Sequence, residues 1–402
     1  MTRATEAVRF PFGQPAALQA PPEFAVLRAE RPVQRVQMPF GGEGWLVTRY
    51  ADSKFVWSDP RFSRAATVNA DIPRSSPQLN PPGHLSAMDP PEHSRLRRLV
   101  GGAFTVKAAQ RWRSRTEQIA GDLITGLLAK GAPVDLVDNF SLPLPITVIC
   151  ELLGVPKEDR RLFERVSQAV PGTSAVTDEQ AQAACDELIC YLAQHISARR
   201  DQPDGARPDD LLTTLIQARD RGDRLSEAEL INMGCVIIIG GHETTAGSIS
   251  NFVYTLVETG QWAQLARHPE KLNVAIEELL RYVQLHNTGG LARIATEDVE
   301  IAGQLVRKGD AVIVDLNSAN RDASIFQDAE TLDLEREHNP HVAFAYGAHR
   351  CPGAQLARME LQVGIGALLR QLPGLRLAGS AEDIPWRAGT AVDGPRELLL
   401  SW

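Results

Sequence analysis

The chain has 402 residues, enough for one large domain or two ordinary ones with a sizeable buried core. Its net charge of −8 argues against a general nucleic-acid binder, and five cysteines, odd in number and without a CxxC pair, argue against a disulfide framework or zinc knuckle. The opening MTRATEAVRFPFG has no apolar run of signal or membrane length, so a cytoplasmic protein without membrane or nucleic-acid partners is expected.

The first eighty-odd residues are Pro-rich and mixed. GWLVTRY, from Gly44, alternates enough for a strand, and DSKFVWSD opens a short helix. Residues 64–91 are polar and rich in Pro, Ser and Asn; a loop this long in a compact chain is commonly a binding loop or lid. From Asp89 helical periodicity dominates, over roughly 90–130, 140–170, 177–200, 208–220, 226–260, 262–285 and 353–372. Between 290 and 316 the pattern is strand-like, with VEIAGQLVRKGDAVIV placing β-branched residues around a KGD turn. The stretch from Gly374 to Trp402 can add strands. There is no internal repeat or long linker. The reading is a single domain over 1–402, mainly α with small β-sheets near 1–60, 290–320 and 374–402.

Four stretches carry chemistry. INMGCVIIIGGHETTAGSISNFVYTLVETG, residues 231–260, is apolar nearly all round and reads as a buried helix. Gly240 and Gly241 at its middle cost about 2 kcal/mol relative to alanine, and Glu243 is costly there unless paired or near water. Either the glycines serve close helix packing around a satisfied core glutamate, or the helix opens at its centre against something flat while a polar pair handles protons. HETTA is not a zinc-protease motif, because Ala246 stands where the second histidine belongs. Glu278 and Arg281, three apart on a helix, can pair, as many exposed salt bridges do. In DPPEHSRLRRLVGGAF, with Asp89 as N-cap, His93 and Arg97 share a face, which is either a solvated basic face or a seat for an anion such as a carboxylate. In FAYGAHRCPG, residues 344–353, Cys351 precedes a helix whose free N–H groups favour a thiolate. Such a thiolate can attack a substrate, with His349 as a neighbouring base, or bind a metal such as iron.

Together these stretches resemble the cytochrome P450 family, of the soluble bacterial kind, over nearly the whole chain and in the family's order. FAYGAHRCPG resembles the haem-binding loop, GGHETT (240–245) the oxygen-activating part of the central helix, Glu278-Leu-Leu-Arg281 the ExxR, MDPPEH to Arg97 the haem-carboxylate helix, and Ala319-Asn-Arg-Asp322 a further shared sequence. The resemblance implies a helical prism with haem between the central helix and the cysteine-loop helix. It implies haem b with Cys351 as axial thiolate, its propionates held by His93, Arg97, Arg293 and His349. Glu243 and Thr244 match the family's acid–alcohol pair, and Glu278 with Arg281 would lock the core on the thiolate side.

The substrate would meet residues 64–88 and 165–182, Val236, Ile239 and Gly240, the stretch from Leu285 to Leu291, and the last loop near Ala391. Gly289 and Gly290, just before Leu291, would leave room for a bulky substrate or simply make a turn.

The expected activity is O2-dependent monooxygenation (hydroxylation, epoxidation or oxidative coupling) of a bulky small molecule, as in bacterial secondary-metabolite biosynthesis, by a monomer drawing electrons from ferredoxin and ferredoxin reductase. A peroxide-driven member of the family, a non-turnover haem protein and a cysteine hydrolase using Cys351 and His349 are the competing readings. Arg95, Arg98, Arg111, Arg113, Arg350 and Arg358 are candidates for a basic docking patch, or plain surface charge. Two departures stand out: Ala345 occupies a usual glycine position in the loop, and Thr331 stands where many relatives carry an arginine completing the ExxR network, with Arg336 a candidate substitute.

Overall fold

The computed structural model describes residues 8–13, 18–169, 177–203, 206–220, 225–286, 289–387 and 392–402. The N-terminal part contains β1 (Val8–Arg9), α1 (Glu23–Glu30), β2 (Val33–Gln37), β3 (Glu43–Val47), α2 (Tyr50–Ser58) and β4 (Phe62–Ser63). The helical part runs through α3 (Glu92–Gly101), α4 (Val106–Lys130), β5 (Val134–Asp135), α5 (Pro143–Leu152), α6 (Arg160–Ala169), α7 (Asp178–Arg200), α8 (Leu211–Asp220), α9 (Glu227–Glu258), α10 (Trp262–Arg267) and α11 (Leu272–Tyr282). Then follow β6 (Arg293–Ala295), β7 (Val299–Ile301), β8 (Gln304–Val306), β9 (Ala311–Val314), α12 (Leu316–Ala319), α13 (Ala354–Gln371), β10 (Arg376–Leu377) and β11 (Leu399–Ser401).

Local signals explain where the long periodic stretches divide. Residues 90–130 make two helices, because Gly101 and Gly102 lead into a 3-10 turn and Thr105 caps α4 by accepting the Ala108 N–H at 3.2 Å. α3 begins at Glu92, and Asp89 does not cap it with its side chain: that carboxylate turns back to residues 63–65. α9 starts at a capping box, in which Ser226 accepts the Glu229 N–H at 3.2 Å and Glu229 accepts the Ser226 N–H at 2.7 Å.

α9 is continuous through Gly240 and Gly241, so the helix does not break at its centre. The two glycines have separate causes. A Cβ on Gly241 would lie 2.9 Å from Ile149 Cδ1, so this glycine lets α5 approach. A Cβ on Gly240 would meet nothing within 4 Å, so this one leaves open space beside the helix.

The main sheet has the order β1-β2-β3-β9-β6-β4. β7 and β8 form their own hairpin, with Val299 opposite Val306. Its turn is not KGD but Ala302-Gly303, at φ 47° and 79°, two successive positive angles that suit a two-residue hairpin. β5, β10 and β11 form a third sheet. The helical core joins α4, α5, α9 and α13 through residues such as Ile124, Ile149, Ile249 and Ile365. A second core lies against the main sheet around Trp45, Trp57, Phe62, Val312 and Phe326. Among the described residues no helix is long and apolar enough to cross a membrane.

Candidate active site

The cysteine loop is fixed by backbone constraints. The Cys351 N–H donates to the Phe344 carbonyl at 2.9 Å, and Gly347, at φ 74°, would place a Cβ 2.5 Å from the Trp57 carbonyl oxygen. Only glycine fits there. Ala345 sits at φ 57°, in the left-handed region, while its N–H reaches Val342 O at 2.8 Å. The loop therefore keeps the turn that glycine makes easily, and alanine bears a strain of about 1–2 kcal/mol. Ala345→Gly should stabilise the fold by up to about 1 kcal/mol once glycine's extra unfolded-state freedom is counted, seen as a higher thermal midpoint. An unchanged or lower midpoint would show that the turn is unstrained.

The Gly353 N–H and the guanidiniums of Arg97, Arg350 and Arg358 pull the Cys351 pKa down, but burial, the larger effect, pushes it up. Helix-end geometry alone therefore does not yield a thiolate. A metal ion on sulfur would, because a coordinating thiol loses its proton.

Cys351 faces a cavity of about 350 Å³ whose other walls include Val236, Gly240 and Thr244 of α9, with Leu85 and Leu285. Most of the lining is apolar. Ile239 is not part of this lining and packs against the helical core. Gly289 and Leu291 are not part of it either. Gly289, at φ 72°, would place a Cβ 2.8 Å from Ile313 Cγ2, and Gly290 donates to Val314 O at 3.0 Å. These glycines let the chain approach β9. Leu291 is 63% exposed. Ala391 and residues 170–176 lie outside the described residues.

His93, Arg97, Arg293 and His349 come together beside this cavity. The His93 and His349 ring centroids lie 4.1 Å apart, and among the described residues His93 Nδ1 and His349 Nε2 have no hydrogen-bond partner. Arg293 donates to Phe62 O at 3.3 Å, and burial pushes its pKa down to about 10. Burial, then His93, Arg293 and Arg64, push His349 down to about 3. That value, and its ring lying against His93 at an interplanar angle of 37°, leave His349 poorly suited to act as a base for Cys351. Among the described residues Asp89 is the carboxylate whose charge eases His93, Arg293 and His349, while Arg97 is eased by Cys351. Buried donors and cations this short of counter-charge fit a dianionic ligand, and the two propionates of a haem supply that charge.

On α9, the Thr244 hydroxyl donates to Gly240 O at 2.8 Å. His242 points away, its Nε2 3.2 Å from Leu142 O, and burial pushes it down to about 4, so it is neutral. Glu243 is 5% exposed and lies 3.8 Å from Arg387. Burial raises its pKa, and Arg387 partly opposes the rise. Arg387 was not legible as a partner in the sequence. Nor was Glu360, a buried α13 residue on the cavity wall whose carboxyl is held well above its ordinary range by burial alone.

Glu278 and Arg281 form a fully buried pair, not an exposed bridge, with two contacts of 2.7 Å. Arg336 supplies the third partner, its Nε 3.0 Å from Glu278 Oε2, and Asn339 Nδ2 and the Asp333 N–H also donate to Glu278. Thr331 takes part through its backbone, its carbonyl accepting from Arg281 at 3.0 Å.

A cysteine in a rigid loop, an apolar cavity and a cationic seat for carboxylates define a haem-thiolate site. The sequence profile of the cytochrome P450 family matches residues 166–271 and 261–373. The chain is 48% identical over 404 residues to the nocardicin C N-oxygenase of Nocardia uniformis subsp. tsuyamanensis, covering 100% of both chains. It is 42% identical to the mycinamicin IV hydroxylase/epoxidase of Micromonospora griseorubida, over 98% of each. Among solved structures, HinD with NMFT and NO matches at a TM-score of 0.93 and 39% identity, over 99% of this chain and 100% of that one. The chain belongs to the cytochrome P450 family and is an oxygenase; membership implies a haem held by a cysteine thiolate.

Proposed function

We propose that the chain is a haem-thiolate monooxygenase that oxidises a small molecule of bacterial secondary metabolism with electrons from a ferredoxin. The observation that carries this reading is the shared cavity of Cys351 and the Gly240–Thr244 wall of α9. Cys351 would hold the iron, and His93, Arg97, Arg293 and His349 the propionates. The bound haem supplies the redox chemistry of O2 activation, with the thiolate favouring O–O cleavage. Thr244 places a hydroxyl oxygen at the cavity wall, and burial raises the pKa of Glu243, so a proton is more readily held within the same helical turn. That pair favours O2 over peroxide as oxidant, because peroxide needs no proton delivery. Hydroxylation, epoxidation and oxidative coupling define the range of outcomes, and the name of one relative adds oxidation at nitrogen; the glycines at 289 and 290 give no support for a bulky substrate.

Reduced protein with carbon monoxide should show the red-shifted band of a thiolate haem, lost in Cys351→Ser. Wild-type protein that folds without haem, or Cys351→Ser that keeps the band, would sink the assignment. Product formation with ferredoxin then separates an enzyme from a non-turnover haem protein.

The docking patch can be narrowed. Arg95 is ion-paired with Glu229, and Arg358 with Glu277 at 2.7 Å. Arg113 is tied to Gln110 and Gln362, and lies 4.0 Å from Glu117. Arg98, Arg111 and Arg350 are exposed, and among the described residues no acid pairs with them within 4.0 Å. Reversing Arg98 and Arg111 together should slow reduction by ferredoxin about tenfold at low salt, with the difference shrinking at high salt. A rate that matches wild type at both salts would remove them from the docking surface.

A further inference from the structure

Arg64 lies in the stretch that the sequence assigns to substrate contact, yet it is 1% exposed and does not line the cavity. β4 pairs antiparallel with β6, Ser63 opposite Ile294, so the next residue, Arg64, leaves the strand beside Arg293. Two buried arginines therefore leave neighbouring positions of the paired strands, and the charge of Arg293 is felt at Arg64, an arrangement that costs free energy unless an anion joins them.

The nearby protein groups do not supply that anion. Arg64 Nε donates to Ser86 O at 2.7 Å and Nη1 donates to Ala292 O, while among the described residues Nη2 has no hydrogen-bond partner. The Asp89 carboxylate is committed to the Ser63 hydroxyl, the Arg64 N–H at 2.8 Å and the Ala65 N–H at 3.3 Å. Among the described residues neither Arg64 nor Arg293 has an acid within 4.0 Å. The two carbonyl contacts explain how Arg64 pins residues 86 and 292. They do not explain a buried full charge, since a neutral donor could serve them. Its charge acts on Arg293 and on His349, which belong to the cationic cluster.

We propose that Arg64 is a further cofactor-anion residue, whose guanidinium beside Arg293 supplies positive charge to a haem propionate. This rests on the reading that His93, Arg97, Arg293 and His349 serve the propionates. A substrate anion is the less favoured source, because Arg64 is absent from the cavity wall.

The test uses the holoenzyme with Arg64→Gln, Arg64→Lys and Arg293→Gln, reading haem transfer to excess apomyoglobin, the reduction potential and the thermal midpoint. Loss of a charge-assisted contact should speed haem transfer in Arg64→Gln about tenfold. The potential should move to a more negative value, because a nearby cation favours the reduced haem. Arg64→Lys keeps the charge and loses a carbonyl contact, so its potential should stay near wild type while its midpoint falls. Wild-type transfer and potential in Arg64→Gln, with only a lower midpoint, would reduce Arg64 to a loop clamp and overturn the proposal. So would a potential in Arg64→Lys displaced as far as in Arg293→Gln, a comparison that stands even if Arg64→Gln does not fold. If Arg293→Gln moves potential and transfer while Arg64→Gln does not, the Arg64 inference alone fails; if neither does, the propionate reading itself fails.

Discussion

Glu278→Ala should be among the most damaging single substitutions in this chain, costing about 3–5 kcal/mol and most of the haem content. Glu278 and Arg281 have fully buried side chains, and Arg336 is 9% exposed. Removing the carboxylate leaves two guanidiniums without their counter-charge in a dry interior. The loss compares with a total stability of about 5–15 kcal/mol for a typical protein. Glu278→Gln should recover little, because its amide NH2 would face guanidinium donors. A hydrophobic pair often replaces a buried ion pair without loss, but here that rescue should fail. Arg281 also donates to the carbonyls of Asn320, Ala329 and Thr331, and a Glu278→Leu/Arg281→Leu chain would leave all three short of a donor and Arg336 short of its acid. Thermal unfolding and haem absorbance per mole of protein measure the effect. A Glu278→Ala protein within about 1 kcal/mol of wild type, with full haem, would show that the network does not hold this core.

The parts of the site legible in the sequence are those written in short, local patterns. The cysteine loop and the glycine pair with Glu243 and Thr244 each sit within ten residues. Local backbone chemistry makes such segments recognisable before they fold. The division of 90–130 at GGAFT was equally local, but periodicity outweighed it because both helices share an apolar spacing. What stayed hidden depends on chain segments that meet only in the fold. Arg387 is an isolated arginine near the C-terminus, and nothing around it points to Glu243. Arg64 looked like one polar residue of a loop until strand pairing put it beside Arg293. Gly289 looked like space for a substrate because a sequence does not show which neighbour a missing side chain admits; here the neighbours are Ile313 and Phe10. Arg336 stood in the sequence only as a candidate substitute for the missing arginine, and its direct contact with Glu278 shows how a network can keep its chemistry while one donor moves along the chain.

Glu243→Gln should slow product formation about a hundredfold, the lower range for loss of a positioned proton donor. Binding should change far less, so the substrate-induced shift of the haem band should keep its half-saturation concentration while turnover falls. Arg387 should tune the pH at which Glu243 titrates. Burial raises the Glu243 pKa and the guanidinium at 3.8 Å draws it back. Arg387→Leu leaves burial unopposed, so Glu243 should keep its proton to higher pH and the limb of the turnover profile that reports this acid should move upward. Stability should follow the same sign. Between the ordinary carboxylate range and the raised folded value, the native state binds a proton that the unfolded state does not, so stability falls as pH rises through that window. The fall should be steeper or extend further in Arg387→Leu and should vanish in Glu243→Gln. Turnover in Glu243→Gln close to wild type would remove Glu243 from proton delivery. An unmoved pH limb in Arg387→Leu, with turnover lost only in Glu243→Gln, would leave Glu243 as the acid and show that Arg387 does not tune it.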